Sequence, residues 1–250
     1  MRILLPALAC LAAAPCMAQR TAPLRVDTVQ QGAARVQLVR VDLRRAEVRM
    51  LWKDPSGAPF RSPAAVERWA RGAGLRLLAV SNAGIFDKDR TPTGLHVERG
   101  RTLDPLNTRA GTGNFYLRPN AVFAILSDGT ARIVPTERAG ALRGRMREAT
   151  QSGPALVLGG RIHPKFSPLP GGTPLNRSAV AVCGPREVVL AHTVDGTGIT
   201  LYELARVLRD RARCPDALFL DGNDTAMLQV GGGAARGEVE FVGFIGVFAR

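Results

Sequence analysis

The chain has 250 residues and a mass of 26.7 kDa, enough for one large domain or two small ones. Hydrophobic residues make up 46% of it and charged residues 22%, so a sizeable core can form and wholesale disorder is excluded. The 27 glycines and 17 prolines exclude a long helical bundle and favour a strand-rich single domain.

The charge balance is strongly basic, with 34 basic residues against 21 acidic ones and a formal net charge of +13. Nearly all of the basic residues are arginines, and they are scattered along the chain without a dense block. Aromatic residues make up 5%, too few for an interleaved stacking platform, so we do not expect a nucleic-acid partner. Docking on an anionic lipid or polymer through the arginines remains open and would collapse with added salt.

The first segment has the features of a signal peptide. Arg2 supplies a positive start, Ile3–Ala14 is an apolar run too short to span a membrane, and Cys16-Met17-Ala18 permits cleavage after Ala18. No other apolar stretch approaches spanning length, so we expect no transmembrane segment. The sequence therefore predicts a signal peptide at 1–18 and a periplasmic or secreted domain at 19–250, with a buried N-terminal strand as the alternative for the first segment.

Cleavage would remove Cys10 and Cys16 and leave two thiols, Cys183 and Cys214. An even number of cysteines in an oxidising compartment indicates a disulfide. Closing this loop would stabilise the fold by roughly 3–4 kcal/mol in the chain-entropy model. The alternative is a pair of buried free thiols that act as small hydrophobic side chains.

The first predicted elements after the leader are a hairpin, a helix and a buried strand. Apolar and polar residues alternate over Arg25–Trp52, which is typical of a half-buried hairpin. Ser62 as N-cap and Pro63 at the first helical position predict a helix to about Gly72. The apolar run Leu75–Val80 predicts a buried strand. Further strands are predicted at Ala121–Leu126, Ala131–Pro135, Ala155–Leu158, Ala179–Cys183, Val188–Thr193, Ala217–Leu220 and Val239–Phe248.

A second helix is predicted near the C-terminus. Thr200 and Glu203 have the spacing of a capping box, and an apolar stripe follows until the helix ends near Cys214-Pro215. The sum is about ten strands with two or three helices. We therefore expect an α+β fold, a single strand-rich mixed domain.

Several glycine-bearing turns adjoin predicted strands, and each carries a polar residue that a rigid sheet could hold toward a cleft. One such turn is ordinary turn chemistry, whereas four in one chain indicate a site. They are Ser81-Asn82-Ala83-Gly84-Ile85-Phe86, Gly113-Asn114-Phe115, Thr150-Gln151-Ser152-Gly153-Pro154 and Asp221-Gly222-Asn223-Asp224.

Taken in order, these motifs resemble those of the phosphodiester glycosidase family, exported bacterial proteins that share a domain with the lysosomal uncovering enzyme. The resemblance covers roughly residues 75–248. The residues that carry it are Asn82-Ala83-Gly84-Ile85-Phe86, Gly94-Leu95-x-Val97-x-x-Gly100, Gly113-Asn114-Phe115, Ala149-Thr150-Gln151-Ser152-Gly153-Pro154, Arg177 and Leu218-x-Leu220-Asp221-Gly222.

The resemblance implies an exported hydrolase that cleaves the sugar–phosphate bond of a glycosyl-1-phosphodiester, such as an envelope polysaccharide. Such a reaction needs a carboxylate near the sugar C1 and a cation on the phosphate. We expect Asp221 as nucleophile or general base, Arg177 on the phosphate and Glu98 as a second carboxylate for acid–base work. The expected substrate-binding residues are Asn82, Gly84, Asn114, Thr150, Gln151, Ser152, Gly153 and Gly222.

The chain departs from the family pattern after Asp221. Many members continue with Asp-Gly-Gly-Gly-Ser, whereas this sequence reads Asp221-Gly222-Asn223-Asp224-Thr225. The added bulk and charge would change the substrate pocket or add a carboxylate. This departure favours the alternative function, a non-catalytic carbohydrate-binding or envelope-structural domain of the same fold.

Metal chemistry has little support in the sequence, and we expect no cofactor. His96, His163 and His192 stand alone, without a second ligand at a metal-binding spacing. Asp87-x-Asp89 and the turn after Asp221 carry oxygen ligands that calcium could use, but neither completes a known calcium loop.

Overall fold

The structure is a computed structural model that describes residues 22–166, 172–194, 196–231 and 240–250. The predicted signal peptide, residues 1–18, and the start of the predicted strand at Val239 lie outside these residues. Among the described residues, no helix is long and apolar enough to cross a membrane.

The described residues form sixteen strands, two α-helices and short 3₁₀ turns. The strands are β1 (Leu24–Gln31), β2 (Ala34–Asp42), β3 (Ala46–Leu51), β4 (Leu77–Asn82), β5 (His96–Glu98), β6 (Arg101–Asp104), β7 (Ala121–Leu126), β8 (Ala131–Pro135), β9 (Met146–Ser152), β10 (Ala155–Leu158), β11 (Arg161–Ile162), β12 (Arg177–Gly184), β13 (Glu187–Val194), β14 (Asp216–Gly222), β15 (Leu228–Val230) and β16 (Phe244–Ala249). The helices are α1 (Pro63–Gly72) and α2 (Leu201–Arg206), and α2 continues as a π-helical turn over Val207–Arg211.

The described strands pair in three sheets. The first has seven strands in the order β1-β2-β13-β12-β14-β10-β11, the second has the order β15-β4-β16-β3, and the third has the order β6-β5-β9-β7-β8. The main core lies between one face of the seven-stranded sheet and the two smaller sheets, where Val180, Leu190, Phe123 and Val247 are buried. The opposite face of the seven-stranded sheet packs against α2 and its π-helical turn in a second core.

The predicted α+β class is confirmed, as are several elements at their predicted bounds. The strands β7, β8 and β10 coincide with the predicted ones, and α1 begins after Ser62, whose Oγ accepts from Ala65 N at 3.2 Å. The capping box of Thr200 and Glu203 is present. The predicted N-terminal hairpin is β1–β2, but its continuation β3 pairs with β16 in a different sheet.

Three expectations about strands are wrong in detail. The strand predicted at Leu75–Val80 runs over Leu77–Asn82, so Asn82 is its last residue. Asp221 and Gly222 lie inside β14, whereas the sequence predicted them in the turn after it. The last strand begins at Phe244. The sequence also missed β9, because its buried end carries polar side chains that break the expected apolar pattern.

The predicted disulfide between Cys183 and Cys214 is present. It links β12 to the segment between the π-helical turn and β14, and Cys214 is fully buried in the second core. The bond therefore ties the end of the helical layer to β12, the strand that pairs with the one carrying Asp221.

Replacing both cysteines by alanine should lower the free energy of unfolding by roughly 3 kcal/mol, because the unfolded chain regains the freedom of the loop. Urea unfolding of the protein, with and without a thiol reductant, measures this change. The reductant should destabilise the native protein and leave the Cys183→Ala/Cys214→Ala variant unaffected. Equal stability of the two proteins under oxidising conditions would contradict the stabilising role.

A buried carboxylate, Glu148 of β9, joins two of the sheets. Its Oε2 accepts from Met50 N of β3 at 2.8 Å, and its Oε1 accepts from Arg99 N at 3.2 Å. Burial, which outweighs these hydrogen bonds, raises the pKa of Glu148 from 4.5 to about 7, and the nearby Glu98 adds to the shift.

The raised pKa of Glu148 makes stability depend on pH. Below pH 4.5 the carboxyl group of Glu148 is protonated in both the folded and the unfolded protein. Between pH 4.5 and about 7 it stays protonated in the folded protein and loses its proton in the unfolded one. The free energy of unfolding should therefore fall by up to about 3 kcal/mol between pH 5 and pH 8. Glu148→Gln should flatten this slope in urea unfolding, and Glu137→Gln, at an exposed carboxylate, should not. An unchanged slope in Glu148→Gln would exclude this carboxyl as its source.

Candidate active site

Three strand ends meet at one end of the molecule, those of β4, β9 and β14. Ser152 Oγ, at the end of β9, donates to Leu220 O of β14 at 3.0 Å and accepts from Ile85 N at 3.3 Å. Thr150 Oγ1 accepts from Gly84 N at 3.2 Å. The side chains of β9 therefore hold the turn after β4 against the strand that carries Asp221.

Two of the predicted glycines are required by close packing. A Cβ built on Gly84 would lie 2.4 Å from Gln151 O, and one built on Gly153 would lie 2.4 Å from Phe115 O. Both distances are too short for any side chain. Gly153 thereby brings the turn with Asn114 next to the end of β9, and Asn114 itself is exposed.

Every donor and acceptor of the Gln151 side-chain amide is hydrogen-bonded to another part of the protein. Its Oε1 accepts from Leu95 N at 3.0 Å and from Asn107 N at 2.9 Å. Its Nε2 donates to Asn107 O at 2.7 Å and to Thr136 Oγ1 at 3.1 Å. An amide side chain has two acceptor sites and two donors, so Gln151 has none left for a sugar hydroxyl. The expected substrate contact is replaced by a role in holding two loops together.

Asn82 and His192 fix the segment that follows Asp221. Asn82 Oδ1 accepts from Met227 N at 3.0 Å, and its Nδ2 donates to Ala83 O at 3.0 Å. His192 Nε2 lies 3.0 Å from Ala226 O, and because burial lowers the pKa of His192, the neutral ring donates there. Asn82 is 3% exposed, so it acts on the backbone and does not face a ligand. The sequence offered no signal for His192 beyond its place on a buried strand.

Asp221 is the one predicted carboxylate at this convergence. Ser178, directly opposite on β12, holds its backbone, since Ser178 Oγ donates to Asp221 O at 3.1 Å and accepts from Asp221 N at 3.3 Å. The carboxylate accepts from Gly222 N at 2.8 Å and is partly exposed. Burial raises the pKa of Asp221 above 3.8. The result is a fixed carboxyl group that exchanges its proton at higher pH than an ordinary aspartate.

Arg177 is a buried cation at the first position of β12. Its Nε donates to Ile199 O at 2.7 Å, its Nη2 donates to Thr173 O at 3.0 Å, and its guanidinium carbon lies 5.5 Å from the centre of the Phe219 ring. In the part of the chain that the structure describes, no carboxylate forms an ion pair with it. Burial lowers the pKa of Arg177 to about 10, so the group stays charged at neutral pH.

The structure does not place Arg177 beside Asp221. Arg177 is paired with Gly222, whereas the next residue, Ser178, is paired with Asp221. Because successive side chains of a strand point to opposite faces, the guanidinium lies on the helical face of the sheet and the carboxylate on the other. A hydrogen bond from Asn223 N to Asn176 O continues the strand pairing beyond them. The expectation that both groups contact one ligand from adjoining positions is therefore corrected by the register.

Glu98 also lies apart from Asp221. Its Oε1 accepts from Trp52 N at 2.6 Å and lies 2.9 Å from His96 Nε2. The pairing of β5 with β9 places Glu98 opposite Glu148. Glu148 is four residues before Ser152, which is roughly 13 Å at the rise of an extended strand. The structure therefore removes Glu98 as an acid–base partner in direct contact with the site.

The departure from the family motif lies in a turn whose backbone glycine would adopt readily. Asn223 has φ of +54°, a left-handed conformation that glycine adopts freely and that asparagine tolerates better than most residues. Thr225 Oγ1 donates to Gly222 O at 2.7 Å and closes the turn. Asp224 is exposed, so the departure adds a negative charge at the surface of this turn.

The residues proposed as calcium ligands do not converge. Within residues 22–166, 172–194, 196–231 and 240–250, no three His, Cys, Asp or Glu side chains form a group that could hold a metal ion. His163 stacks on Phe166 at 4.6 Å between ring centres, and His96 is paired with Glu98.

Comparison with solved structures identifies the fold. The zebrafish N-acetylglucosamine-1-phosphodiester alpha-N-acetylglucosaminidase catalytic domain, auto-inhibited by its pro-peptide, superposes with a TM-score of 0.63 at 18% identity, over 92% of this chain and 84% of that one. A hypothetical protein from Synechocystis superposes with a TM-score of 0.57 at 17% identity, over 91% of this chain and 62% of that one.

Sequence comparison gives the family. The uncharacterized protein YigE of Escherichia coli (strain K12) is 28% identical over 214 residues, which are 85% of this chain and 81% of the relative. The profile of the phosphodiester glycosidase family matches residues 76–241, a span that contains the ends of β4, β9 and β14. The chain therefore belongs to the phosphodiester glycosidase family.

Proposed function

We propose that this protein is an exported hydrolase that cleaves the bond between a sugar C1 and the phosphate of a glycosyl-1-phosphodiester. The observation that carries the proposal is Asp221, a partly exposed carboxyl group of raised pKa at the convergence of three strand ends. The family membership supports the class of reaction, and the similarity to the zebrafish catalytic domain supports the fold on which it would occur.

Asp221 is suited to act at the sugar C1. The transition state of such a cleavage carries positive charge at C1, which a nearby carboxylate stabilises as nucleophile or as general base. Ser178 fixes the backbone on both sides of the Asp221 Cα, so the carboxylate needs little reorganisation during the reaction. A positioned group of this kind contributes by preorganisation.

The overall reaction balances without a further reactant. The bond between C1 and the phosphate oxygen breaks, and its electron pair leaves with the phosphate as a monoester anion. Water supplies hydroxide to C1 and a proton to the solvent, with Asp221 as the group that takes part at C1. A phosphate leaves readily as an anion, so strong acid assistance is not needed.

Arg177 is proposed as a positioning residue. Its guanidinium holds the carbonyls of Thr173 and Ile199 on the helical face of the sheet, and β12, which it begins, holds Asp221 through Ser178. Three of its five N–H groups have no partner in the described residues, so an anion on that face would find donors there. Asp221 lies on the opposite face of the sheet, so an anion bound there would not contact the Asp221 carboxylate.

Export and the envelope substrate complete the proposal. The apolar N-terminal segment has the features of a cleaved signal, and the Cys183–Cys214 disulfide suits an oxidising compartment. A glycosyl phosphodiester in an envelope polysaccharide is the substrate class that fits this location.

Asp221→Asn should lower turnover of an N-acetylglucosamine-1-phosphodiester by at least a hundredfold with the fold intact, because asparagine keeps the shape and loses the charge at C1. Release of free sugar by the mature protein measures turnover, and the unfolding midpoint reports on the fold. The acid limb of the wild-type rate profile should have its midpoint above 3.8, since the carboxylate must be ionised to act.

The matched control is Asp27→Asn, which removes one carboxylate from the edge strand β1 and should leave turnover unchanged. Retained turnover in Asp221→Asn would remove this residue from the mechanism. A wild-type protein that binds the diester and releases no sugar would establish the non-catalytic alternative.

Arg177→Lys should lower kcat/KM by a similar factor for a phosphodiester and for an aryl glycoside of the same sugar. The reason is that the guanidinium positions the backbone and lies on the other face from Asp221. Parallel assays of the two substrates, with the melting temperature as the measure of folding, test this. A loss confined to the phosphodiester would establish a direct contact between Arg177 and the phosphate.

A further inference from the structure

A second concave surface lies apart from the Asp221 site. It is a cavity of about 460 Å³ between the loop after β3, helix α1 and the β5–β6 turn. We call it the Trp69 groove, and it is defined by Lys53, Asp54, Trp69, Glu98, Arg99, Arg101 and Leu103. Its volume is in the range of small-ligand sites.

The cations of the groove are available to a ligand. Lys53, Arg99 and Arg101 are exposed, and within the described residues no carboxylate forms an ion pair with any of them. Lys53 Nζ lies 4.1 Å from the centre of the Trp52 ring, a contact that holds the side chain and leaves its charge in place.

The two carboxylates of the groove are already engaged. Asp54 Oδ1 accepts from Ser56 Oγ at 2.6 Å, and also from Ser56 N at 2.8 Å and Ala58 N at 3.0 Å; these bonds, the hydroxyl bond above all, lower the pKa of Asp54. Glu98 Oε1 is bonded to Trp52 N and His96. With three cations against two carboxylates, the lining has a net charge of +1, and the unengaged charges are the positive ones.

The position of Arg99 is costly for the backbone. Arg99 and Gly100 form the two-residue turn between β5 and β6, with φ of +48° and +79°. Such a turn favours asparagine or glycine at its first position, and a long side chain there adds strain. The fully buried Glu148 holds the turn by accepting from Arg99 N. Glu148 thereby fixes the turn that carries the exposed Arg99 side chain at the rim of the groove.

We propose that the Trp69 groove binds an anionic saccharide segment. The guanidinium groups of Arg99 and Arg101 would bind its carboxylate or phosphate groups, and Trp69 and Leu103 would pack against the C–H face of a sugar ring. A concave lining of mixed charge matches discrete anions on a glycan chain and does not match a flat anionic membrane.

The test uses the mature chain carrying Asp221→Asn, so that no substrate is consumed. The double variant Arg99→Asn/Arg101→Gln keeps the left-handed turn and removes two charges. The control Arg132→Gln/Arg138→Gln removes two exposed charges elsewhere. Calorimetric titration is carried out with oligogalacturonate, a phosphorylated mannan fragment, a neutral maltooligosaccharide and phosphatidylglycerol vesicles.

An anionic glycan should bind the parent and the control equally, and the groove variant at least tenfold more weakly. Comparison of oligogalacturonate with the phosphorylated mannan fragment shows whether the groove binds the carboxylate or the phosphate groups of a glycan. Equal binding to both double variants, no binding of either anionic glycan, or binding of the vesicles alone would each overturn the proposal. Hydrolysis of a small N-acetylglucosamine-1-phosphodiester by protein with an intact Asp221 should not change in the groove variant, so the two proposals fail separately.

Discussion

The need to satisfy buried backbone groups in the loops governs the architecture of this protein. The turn after β4 and the segment around Asn107 are packed against β9, and their backbone N–H groups bond to its side chains. Thr150, Gln151 and Ser152 supply the acceptors, on consecutive residues of one strand. An unpaired buried N–H costs about 1–3 kcal/mol, so these side chains determine where each loop can lie. The position of Asp221 depends on the same bonds, because Ser152 also donates to Leu220 O.

The same constraint explains what could be predicted from the sequence. The strands β7, β8 and β10 were predicted at their observed bounds, because local apolar runs and turn residues are sufficient to define them. Strand β9 was missed because its buried residues are polar and hydrogen-bonded, which defeats a hydrophobic pattern. The motif residues Asn82, Gly84 and Gln151 were expected to bind substrate, but the side chains of Asn82 and Gln151 bond to the backbone of neighbouring loops, and Gly84 packs against Gln151 O.

The face on which a side chain lies depends on register, and register is set by strands distant in sequence. Arg177 and Asp221 are both at the same end of the seven-stranded sheet, as the sequence implied. Their pairing partners differ by one residue, and that difference places them on opposite faces. A register shift between Ser178 and Ala179 adds a further irregularity that no local pattern predicts. Sequence spacing can therefore predict that two residues lie in one region of the fold. It does not predict whether their side chains face the same ligand.

Strand β9 connects the two surfaces to which we assign binding. At its beginning Glu148 supports the strained Arg99 at the Trp69 groove, and at its end Ser152 supports the strand that carries Asp221. The residues between them are all buried and paired with β5 and β7, so the strand has little freedom to bend. A glycan long enough to reach from the groove to the carboxylate would therefore meet two sites at a fixed separation. On the two proposals above, such an arrangement favours a glycan whose anionic group and scissile bond are separated by that distance.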